Sequence, residues 1–326
     1  MQIVITGVAG YIGAHVANYF LTNGAEVIGV DNLSTGEESF IDERINFVKG
    51  DVQDLDTLRL AMELLHAPQN SAVIHCAGLK FAGESVKNPL EFYENNTFAT
   101  SQLLKVMKEF QIPRLVFSSS CSVYGDVKAN KAINEADELD PVSPYGKSKY
   151  YAEEIIRDHV KHNNLKAIVL RYFNVVGNSD ILAFDKSKFN LFPNLYRAIQ
   201  YKNTFEIYGK DHDTADGTCI RDYVDINPLS KTHFDAFKLL DNSDSIFSVY
   251  NLGSGEGLSV LQIVNKAKEL IAPELEYRFM PKREGDPAKI FADTTNAIRD
   301  LGWNNGSSLD AMLLSGWKAW EKGALN

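Results

Sequence analysis

Tyr145 and Lys149 are the pair of side chains in this sequence best suited to proton transfer. They occur as Tyr145-Gly-Lys-Ser-Lys149, and residues four apart on a helix lie on one face, so the ammonium can sit beside the phenol. A free tyrosine has a pKa near ~10, but a neighbouring positive charge favours the phenolate. Lowering that pKa by ~3 requires roughly 4 kcal/mol, which two close positive charges in a dry cleft can supply.

A serine-rich stretch, Ser118-Ser-Ser-Cys-Ser122, precedes this pair at the end of a predicted strand. Its hydroxyls can hydrogen-bond a substrate oxygen and relay its proton. A Tyr-x-x-x-Lys spacing alone is common by chance on amphipathic helices. The serine-rich strand end upstream of it makes a catalytic interpretation much stronger.

A glycine-rich turn opens the chain. The β-branched run Gln2–Thr6 predicts a strand, Gly7, Gly10 and Gly13 follow it, and a helical pattern covers Ala14–Leu21. Such a turn brings backbone N–H groups and the positive end of a helix to one point, which suits a pyrophosphate. The spacing G-x-x-G-x-x-G differs from the standard fingerprint, so a tight turn without a ligand is the alternative.

Acidic residues follow the next two predicted strands. Asp31 lies about twenty residues beyond the glycines, where a carboxylate can bind the adenosine ribose hydroxyls. No Arg or Lys occurs in 31–36 to accept a 2′-phosphate, which favours NAD over NADP. Asp51 is either a turn acid or a contact to the adenine amine. Lys80, after the fourth strand, is either a solvated lysine or a contact to a phosphate or ribose.

Composition excludes several classes of protein. The 326 residues suffice for a large core and two lobes, and 33 basic against 43 acidic residues give a formal charge of −10. No basic run indicates a nucleic-acid or membrane surface, and no apolar run approaches the ~20 residues of a membrane span. The predicted first strand leaves no room for a signal peptide. Three scattered cysteines favour a reducing cytosol over a disulfide framework or a metal site.

The first half of the chain alternates predicted strands and helices, which indicates an α/β fold with a Rossmann-type, doubly wound parallel sheet. In such sheets ligands bind beyond the carboxyl ends of the strands, where the candidate residues lie. The predicted strands are Gln2–Thr6, Glu26–Val30, Ile45–Lys49, Ala72–Cys76, Arg114–Ser118 and Lys166–Arg171, and the predicted helices after the first are Leu55–Leu65, Pro89–Phe110 and Tyr145–His162.

The second half has a different character, because the strict alternation ends at Asn174. We expect a nucleotide-binding domain over 1–173 and a smaller mixed α/β substrate lobe over 174–326, with segments near 219–250 returning to the first. A second glycine cluster, Gly253–Gly257, is either a phosphate loop or a structural loop. No acid-bearing strand follows it, which favours the structural loop. Trp303, Trp317 and Trp320 are expected in a core.

Eight stretches resemble the extended short-chain dehydrogenase/reductase family, and within it the group that epimerises nucleotide sugars. They follow the family's order over nearly the whole chain: Thr6–Gly13, His75–Ser85, Ser118–Ser120, Ser143–Lys149, Arg171–Asn174, Arg221–Tyr223, Tyr250–Gly253 and Arg283–Asp286. The resemblance implies NAD-dependent 4-epimerisation of UDP-hexoses by transient oxidation at C4, rotation of the 4-keto sugar and return of the hydride. It also implies a homodimer.

The resemblance implies a role for each matching residue. Tyr145 would be the acid/base and would also contact the cofactor, Ser120 would assist it at the sugar, and Lys149 would bind the nicotinamide ribose. The implied NAD contacts are Gly7, Gly10, Tyr11, Ile12 and Gly13 at the pyrophosphate, Asp31 and Asn32 at the adenosine ribose, Asp51 and Val52 at adenine, and Ala77 and Lys80 elsewhere on the cofactor. The implied contacts to the UDP-sugar, besides Ser120 and Tyr145, are Asn174, Asn190, Leu191, Arg221, Tyr223, Arg283 and Asp286.

Two regions depart from the family pattern. The stretch 177–190 is unlike the usual loop, although Asn190 and Leu191 remain. The residue that gates sugar size falls near Ile290, where the family has Tyr for a tight hexose pocket or a small residue for N-acetylhexosamines. Isoleucine is intermediate, so acceptance of UDP-GlcNAc stays open.

Two other functions are considered. A nucleotide-sugar 4,6-dehydratase needs an acid and a base near the serine edge, and Ser120-Cys121-Ser122 contains no carboxylate. A non-catalytic NAD sensor on the same fold often lacks the tyrosine and lysine that this chain retains.

Overall fold

The computed structural model describes residues 1–125, 131–242, 246–283 and 287–324. Its strands are β1 (Gln2–Thr6), β2 (Glu26–Asp31), β3 (Asn46–Lys49), β4 (Ala72–His75), β5 (Arg114–Ser120), β6 (Lys166–Tyr172), β7 (Asn174–Val176), β8 (Phe205–Tyr208), β9 (Ile220–Arg221), β10 (Tyr223–Asp225), β11 (Phe247–Leu252), β12 (Leu258–Ser259), β13 (Tyr277–Met280) and β14 (Lys289–Ile290). Its α-helices are α1 (Tyr11–Thr22), α2 (Leu55–Glu63), α3 (Ala82–Lys87), α4 (Pro89–Phe92), α5 (Ala99–Glu109), α6 (Pro144–His162), α7 (Leu191–Tyr201), α8 (Ile226–Asn242), α9 (Val260–Leu270), α10 (Thr295–Leu301) and α11 (Leu309–Ala324).

Seven parallel strands form the central sheet in the order β11-β6-β5-β4-β1-β2-β3. Apolar side chains cover both faces, with α1 and α8 on one and α2, α5 and α6 on the other. The predicted doubly wound α/β fold is therefore confirmed. The strand order reverses between β4 and β1, and a crevice forms there at the carboxyl ends of the strands.

The expected helix Pro89–Phe110 is wrong as a single α-helix. Tyr93–Phe98, between α4 and α5, is a π-helical stretch. Its buried Asn96 accepts a hydrogen bond from Leu79 N at Oδ1 (2.8 Å) and donates to Ser148 Oγ (2.8 Å). The distortion thus brings a polar side chain between α6 and the segment after β4. A helix period predicted from sequence does not contain such an insertion.

Residues after 219 return in part to the central sheet. β11 pairs with β6 along its whole length, and α8 packs on α1, where Phe234 meets Phe20 edge-to-face at 5.2 Å. The sequence analysis did not predict α8, although Leu229, Ala236 and Leu240 follow a helical period.

A separate apolar core lies among α7, α9, α11 and the parallel pair β8–β13. Ser259 caps α9 in a capping box with Gln262, as its position predicts. Trp320 is buried in this core and Trp317 packs against it, whereas Trp303 is buried beside the central sheet. None of the described helices combines the length and apolar character needed to cross a bilayer.

Candidate active site

The start of α6 sets the position of Tyr145. Ser143 caps the helix by accepting a hydrogen bond from Gly146 N (3.1 Å). A Cβ on Gly146 would lie 2.4 Å from Ser122 O, so only glycine allows the helix this close to the segment after β5. The Tyr145 phenol is consequently buried beside the Ser120 hydroxyl.

The pKa values of the two proton-transfer candidates shift in opposite directions at this buried site. Burial raises the pKa of Tyr145 to about 12, although its hydrogen bond with Ser120 acts in the other direction. Burial lowers the pKa of Lys149 to about 8. The Lys149 ammonium donates to Ser118 O (2.9 Å) and lies 4.9 Å from the centre of the Phe117 ring. The expected lowering of the Tyr145 pKa needs two close positive charges, so it stays a prediction for the protein with a bound cationic cofactor.

The burial of Lys149 leads to a stability prediction. A pKa of about 8, against an ordinary value of 10.5, means that folding disfavours the ammonium by at most about 3 kcal/mol at neutral pH. Lys149→Met removes this penalty but also loses the hydrogen bond to Ser118 O, which reduces the gain. The variant should therefore stabilise the NAD-free protein against urea by about 1–2 kcal/mol at neutral pH. Unfolding curves at several pH values measure the difference.

The same variant has a defined pH dependence. Between about pH 8 and 10.5 the unfolded lysine holds a proton that the folded one has lost, so wild-type stability rises with pH across that window. The advantage of Lys149→Met should shrink there. A variant that is less stable than the wild type throughout would contradict this account. Lys147→Met, an exposed neighbour on α6, is the control and should show no such window.

The glycine turn after β1 has the geometry of an anion cradle. Gly7 has a φ of +73°, and a Cβ on Gly13 would lie 2.0 Å from Gly7 O. The turn therefore packs directly under α1. Gly10 precedes that helix, and no side chain caps its first amides. These amides fit the pyrophosphate of a dinucleotide.

The two predicted adenosine-side acids are connected to this turn and to each other. Asp31 accepts from Ala9 N (2.9 Å) and Leu33 N (2.8 Å), and burial raises its pKa. It therefore fixes the turn as well as facing the ligand edge. Asn32 donates to Asp51 Oδ2 (2.7 Å), which brings the second acid alongside. Val52, buried, follows Asp51, and Ala77 packs against Gly7.

A cavity of about 710 Å³ runs from the end of β5 into the second lobe. Twelve of the predicted site residues line it: Tyr11, Ile12, Lys80, Ser120, Tyr145, Lys149, Asn174, Asn190, Leu191, Arg221, Tyr223 and Arg283. The remaining cofactor candidates, at the glycine turn and after β2, β3 and β4, do not line it: Gly7, Gly10, Gly13, Asp31, Asn32, Asp51, Val52 and Ala77. Asp286 lies outside the described residues.

Two of the arginines that line the cavity are Arg221 and Arg283. Arg221 ends β9, and its Nη1 donates to Ile220 O (2.7 Å). The Arg283 guanidinium lies 4.1 Å from the centre of the Tyr208 ring. Guanidinium groups bind phosphate oxygens in pairs, so both are suited to a diphosphate.

Asp222 decides between the two interpretations of the second glycine cluster. Its fully buried carboxylate accepts hydrogen bonds from the amides of Ser254 (2.6 Å), Gly255 (3.3 Å) and Ala292 (3.0 Å). The amides that would hold a phosphate therefore already hold a carboxylate, and the loop is structural. Asp222 also separates β9 from β10.

Ile290 does not line the cavity. It pairs with Arg221 in β14 and packs, partly buried, against the core beside the central sheet. The geometry gives it no contact through which to gate sugar size directly.

Comparison with known proteins gives a family. Residues 3–253 match the model of the NAD dependent epimerase/dehydratase family. The chain belongs to this family. The UDP-glucose 4-epimerase of Lactobacillus helveticus is 35% identical over 99% of this chain and 97% of its own length. A crystal structure of a UDP-glucose 4-epimerase superposes with a TM-score of 0.94 at 33% identity, covering 99% of this chain and 98% of that one. The Bifidobacterium longum UDP-glucose 4-epimerase, solved with NAD⁺ and UDP, has a TM-score of 0.87 at 34% identity, with 99% of each chain covered.

Sequence reasoning missed three polar groups around this epimerase-family site. Asn96 fastens the segment after β4 to α6, as described above. Glu153 and Arg171 form a buried ion pair (2.6 Å) directly behind β5. Asp185 lies on the cavity wall and binds Lys80 (3.1 Å). Glu153 carries a detectable signal, since it lies one turn beyond Lys149 on the same helix face; the other contacts join residues too far apart for a spacing rule.

Proposed function

We propose that this chain catalyses the NAD-dependent interconversion of UDP-galactose and UDP-glucose. The observation that carries the proposal is that Tyr145, Lys149 and Ser120 line the same cavity as Arg221 and Arg283. A proton-transfer group and a diphosphate site thus share one space. The full-length similarity to UDP-glucose 4-epimerases supports the same reaction.

The residues fit NAD at both of its ends. The uncapped start of α1 offers amides to the pyrophosphate, and Asp31, Asn32 and Asp51 offer polar groups to the adenosine half. Lys149 would hold the nicotinamide-side ribose, and Lys80 would reach the cofactor from the end of β4. Bound NAD supplies the acceptor and donor of the hydrogen at sugar C4.

The chain's own residues move the proton. Tyr145 takes the proton of the sugar 4-hydroxyl during oxidation and returns it during reduction, while the Ser120 hydroxyl orients the same oxygen. Because burial holds the pKa of Tyr145 at about 12 in the chain alone, its phenolate depends on positive charge at the loaded site. Between the two transfers the 4-keto sugar turns over inside the cavity, anchored by its UDP.

The UDP part would be held by the second lobe, which we assign to 174–326 with residues near 219–250 returning to the domain 1–173. The anchoring residues proposed are Asn174, Asn190, Leu191, Arg221, Tyr223 and Arg283, all of them on the cavity wall, together with Asp286. A guanidinium forked onto diphosphate oxygens is a strong contact, so the anchor can persist while the sugar rotates.

Incubation of the purified protein with UDP-galactose, without added NAD, tests the function by proton NMR. UDP-glucose should appear, because the cofactor ends each cycle in its starting redox state and stays bound. A 4-keto-6-deoxy sugar would indicate a dehydratase, and an unchanged spectrum would support an NAD sensor. A parallel tube with UDP-GlcNAc determines whether N-acetylated sugars are accepted.

We also propose that the protein is a cytoplasmic homodimer. Leu90, Phe98 and Tyr151 are exposed on the helices 89–109 and α6, and Tyr151 lies 6.1 Å from Tyr93 across them. Two copies of this face would bury those side chains around a two-fold axis. Sedimentation velocity measures the mass, and a monomer at micromolar concentration would contradict the dimer. The described cysteines Cys76, Cys121 and Cys219 form no disulfide, and we propose a reducing compartment for the protein.

A further inference from the structure

The carboxylate of Asp185 connects the segment after β4 with the start of α7 at the cavity. Its Oδ1 accepts from Lys80 Nζ (3.1 Å) and from Ser187 N (3.1 Å), and its Oδ2 accepts from Asn190 Nδ2 (2.6 Å). The side chain is only 13% exposed and lines the cavity. One carboxylate thus holds a residue of the dinucleotide side and a residue of the second lobe.

Asp185 determines how both partners are presented. Lys80 is 40% exposed on a flexible four-carbon stem, so an ionic partner is needed to restrict its ammonium. Asn190 precedes α7 without capping it through its side chain, because its amide nitrogen is directed to Asp185. With that nitrogen held, the amide oxygen points the opposite way and is available as an acceptor.

A role as a direct diphosphate ligand is excluded for Asp185 by charge. A carboxylate repels a diphosphate, and its charge on this wall is balanced by the Lys80 ammonium. The neighbouring cations on the cavity wall are those suited to the anion: Lys188, Arg197, Arg221 and Arg283. The function of Asp185 is therefore to act through its partners.

We propose that Asp185 is a positioning residue that couples retention of NAD to binding of UDP. A bound uridine nucleotide orders Asn190, and the ordered Asn190 holds the Asp185 carboxylate in place. That carboxylate in turn restricts the Lys80 ammonium at the cofactor. Such coupling is reciprocal, so the nucleotide strengthens NAD binding by the same factor by which NAD strengthens nucleotide binding. We expect the stronger NAD binding to be seen as slower NAD loss. This inference rests on the proposed function, since it takes Lys80 as a cofactor contact and Asn190 as a UDP contact.

The same segment contains a matched control. Asp180 pairs with Lys318 (2.6 Å) at the surface, where its side chain is 74% exposed and away from the cavity. Asp180→Asn thus removes an ion pair from the same segment without touching Lys80 or Asn190. Any general loosening of the segment appears in this variant too.

The experiment measures NAD and UDP directly, not activity. Purified holoenzyme is dialysed with and without UDP, the NAD remaining is released by acid and quantified, and UDP affinity is measured by calorimetry. Asp185→Ala should lose NAD about threefold faster, the size expected of a half-exposed ion pair, and UDP should no longer slow that loss. Its UDP affinity should fall about fivefold.

Asp185→Asn separates the two partners. Its amide oxygen can still accept from Asn190, so UDP affinity should stay within about twofold of the wild type, whereas NAD loss should be as fast as in Asp185→Ala. Asp180→Asn should match the wild type in both measurements. This pattern would support the coupling.

Two results would overturn it. The first is that Asp185→Ala leaves both the rate of NAD loss and the UDP affinity unchanged. If that variant does not fold, the corresponding result is an unchanged rate of NAD loss in folded Asp185→Asn. The second is an equal change in Asp180→Asn. A wild type that binds NAD and UDP but leaves UDP-galactose unchanged refutes the proposed function alone, because neither binding measurement requires turnover.

Discussion

Tyr145→Phe should reduce turnover of UDP-galactose by about 10³-fold or more while NAD stays bound. The substitution removes the only atom of that side chain able to accept and return the 4-hydroxyl proton, and general acid–base catalysis contributes about 10²- to 10⁴-fold. The cofactor contacts proposed at the glycine turn and at Lys149 are untouched. Coupled assay of UDP-glucose formation and acid release of NAD measure the two properties separately.

The pH profile distinguishes lost chemistry from altered packing. The phenolate of Tyr145 is the form that accepts the proton, so wild-type kcat should rise with pH up to the pKa that Tyr145 has in the NAD-loaded enzyme. The residual rate of Tyr145→Phe should lose that dependence. Tyr201→Phe, which removes an exposed phenol at the end of α7, is the control and should retain full activity. Near-normal turnover in Tyr145→Phe would eliminate the proposed mechanism.

The features predicted correctly from sequence are those set by neighbouring residues. The start of α6 follows from Ser143 and Pro144, the capping of α9 from Ser259, and the parallel strands from short apolar runs. The placing of candidate residues at the carboxyl edge follows from parallel topology alone. For these features, local chemistry and tertiary structure agree.

The features that sequence did not predict depend on contacts across the fold. The Asp222 carboxylate accepts a hydrogen bond from the Ser254 amide in the glycine cluster, 32 residues away in the sequence. Asp185 binds Lys80, which is 105 residues away. No period or spacing rule links such positions. The raised pKa of Tyr145 in the chain alone could not be predicted for a similar reason, because burial depends on everything that packs above the residue.

The buried pair of Glu153 and Arg171 shows how a distant contact supports the site. Arg171 on β6 donates to Glu153 on α6 (2.6 Å) and to Tyr124 OH (2.9 Å), and Glu153 also accepts from Ser119. The two charged side chains are at most 1% exposed. This network joins α6 to β5 and β6 immediately behind the residues that face the substrate.

Arg171→Met should therefore lower the free energy of unfolding by about 3–5 kcal/mol. Removal of one partner leaves the other charge buried without compensation, which costs far more than the intact pair contributes. The stranded Glu153 is expected to take up a proton on folding. The variant should accordingly be more stable near about pH 5 than near about pH 8, since a group protonated only when folded loses its stabilising proton as pH rises. Urea unfolding of the NAD-free protein at both pH values measures this.

A second substitution tests whether the stranded charge causes the loss. Glu153→Gln in the Arg171→Met background removes the charge but keeps an acceptor for Ser119, so it should recover about 2 kcal/mol and abolish the pH dependence. Arg299→Met breaks an exposed pair with Asp300 and should leave the free energy of unfolding nearly unchanged. If Arg171→Met cost no more than that surface control, the network behind β5 would not be what holds α6, and with it Tyr145, against the sheet.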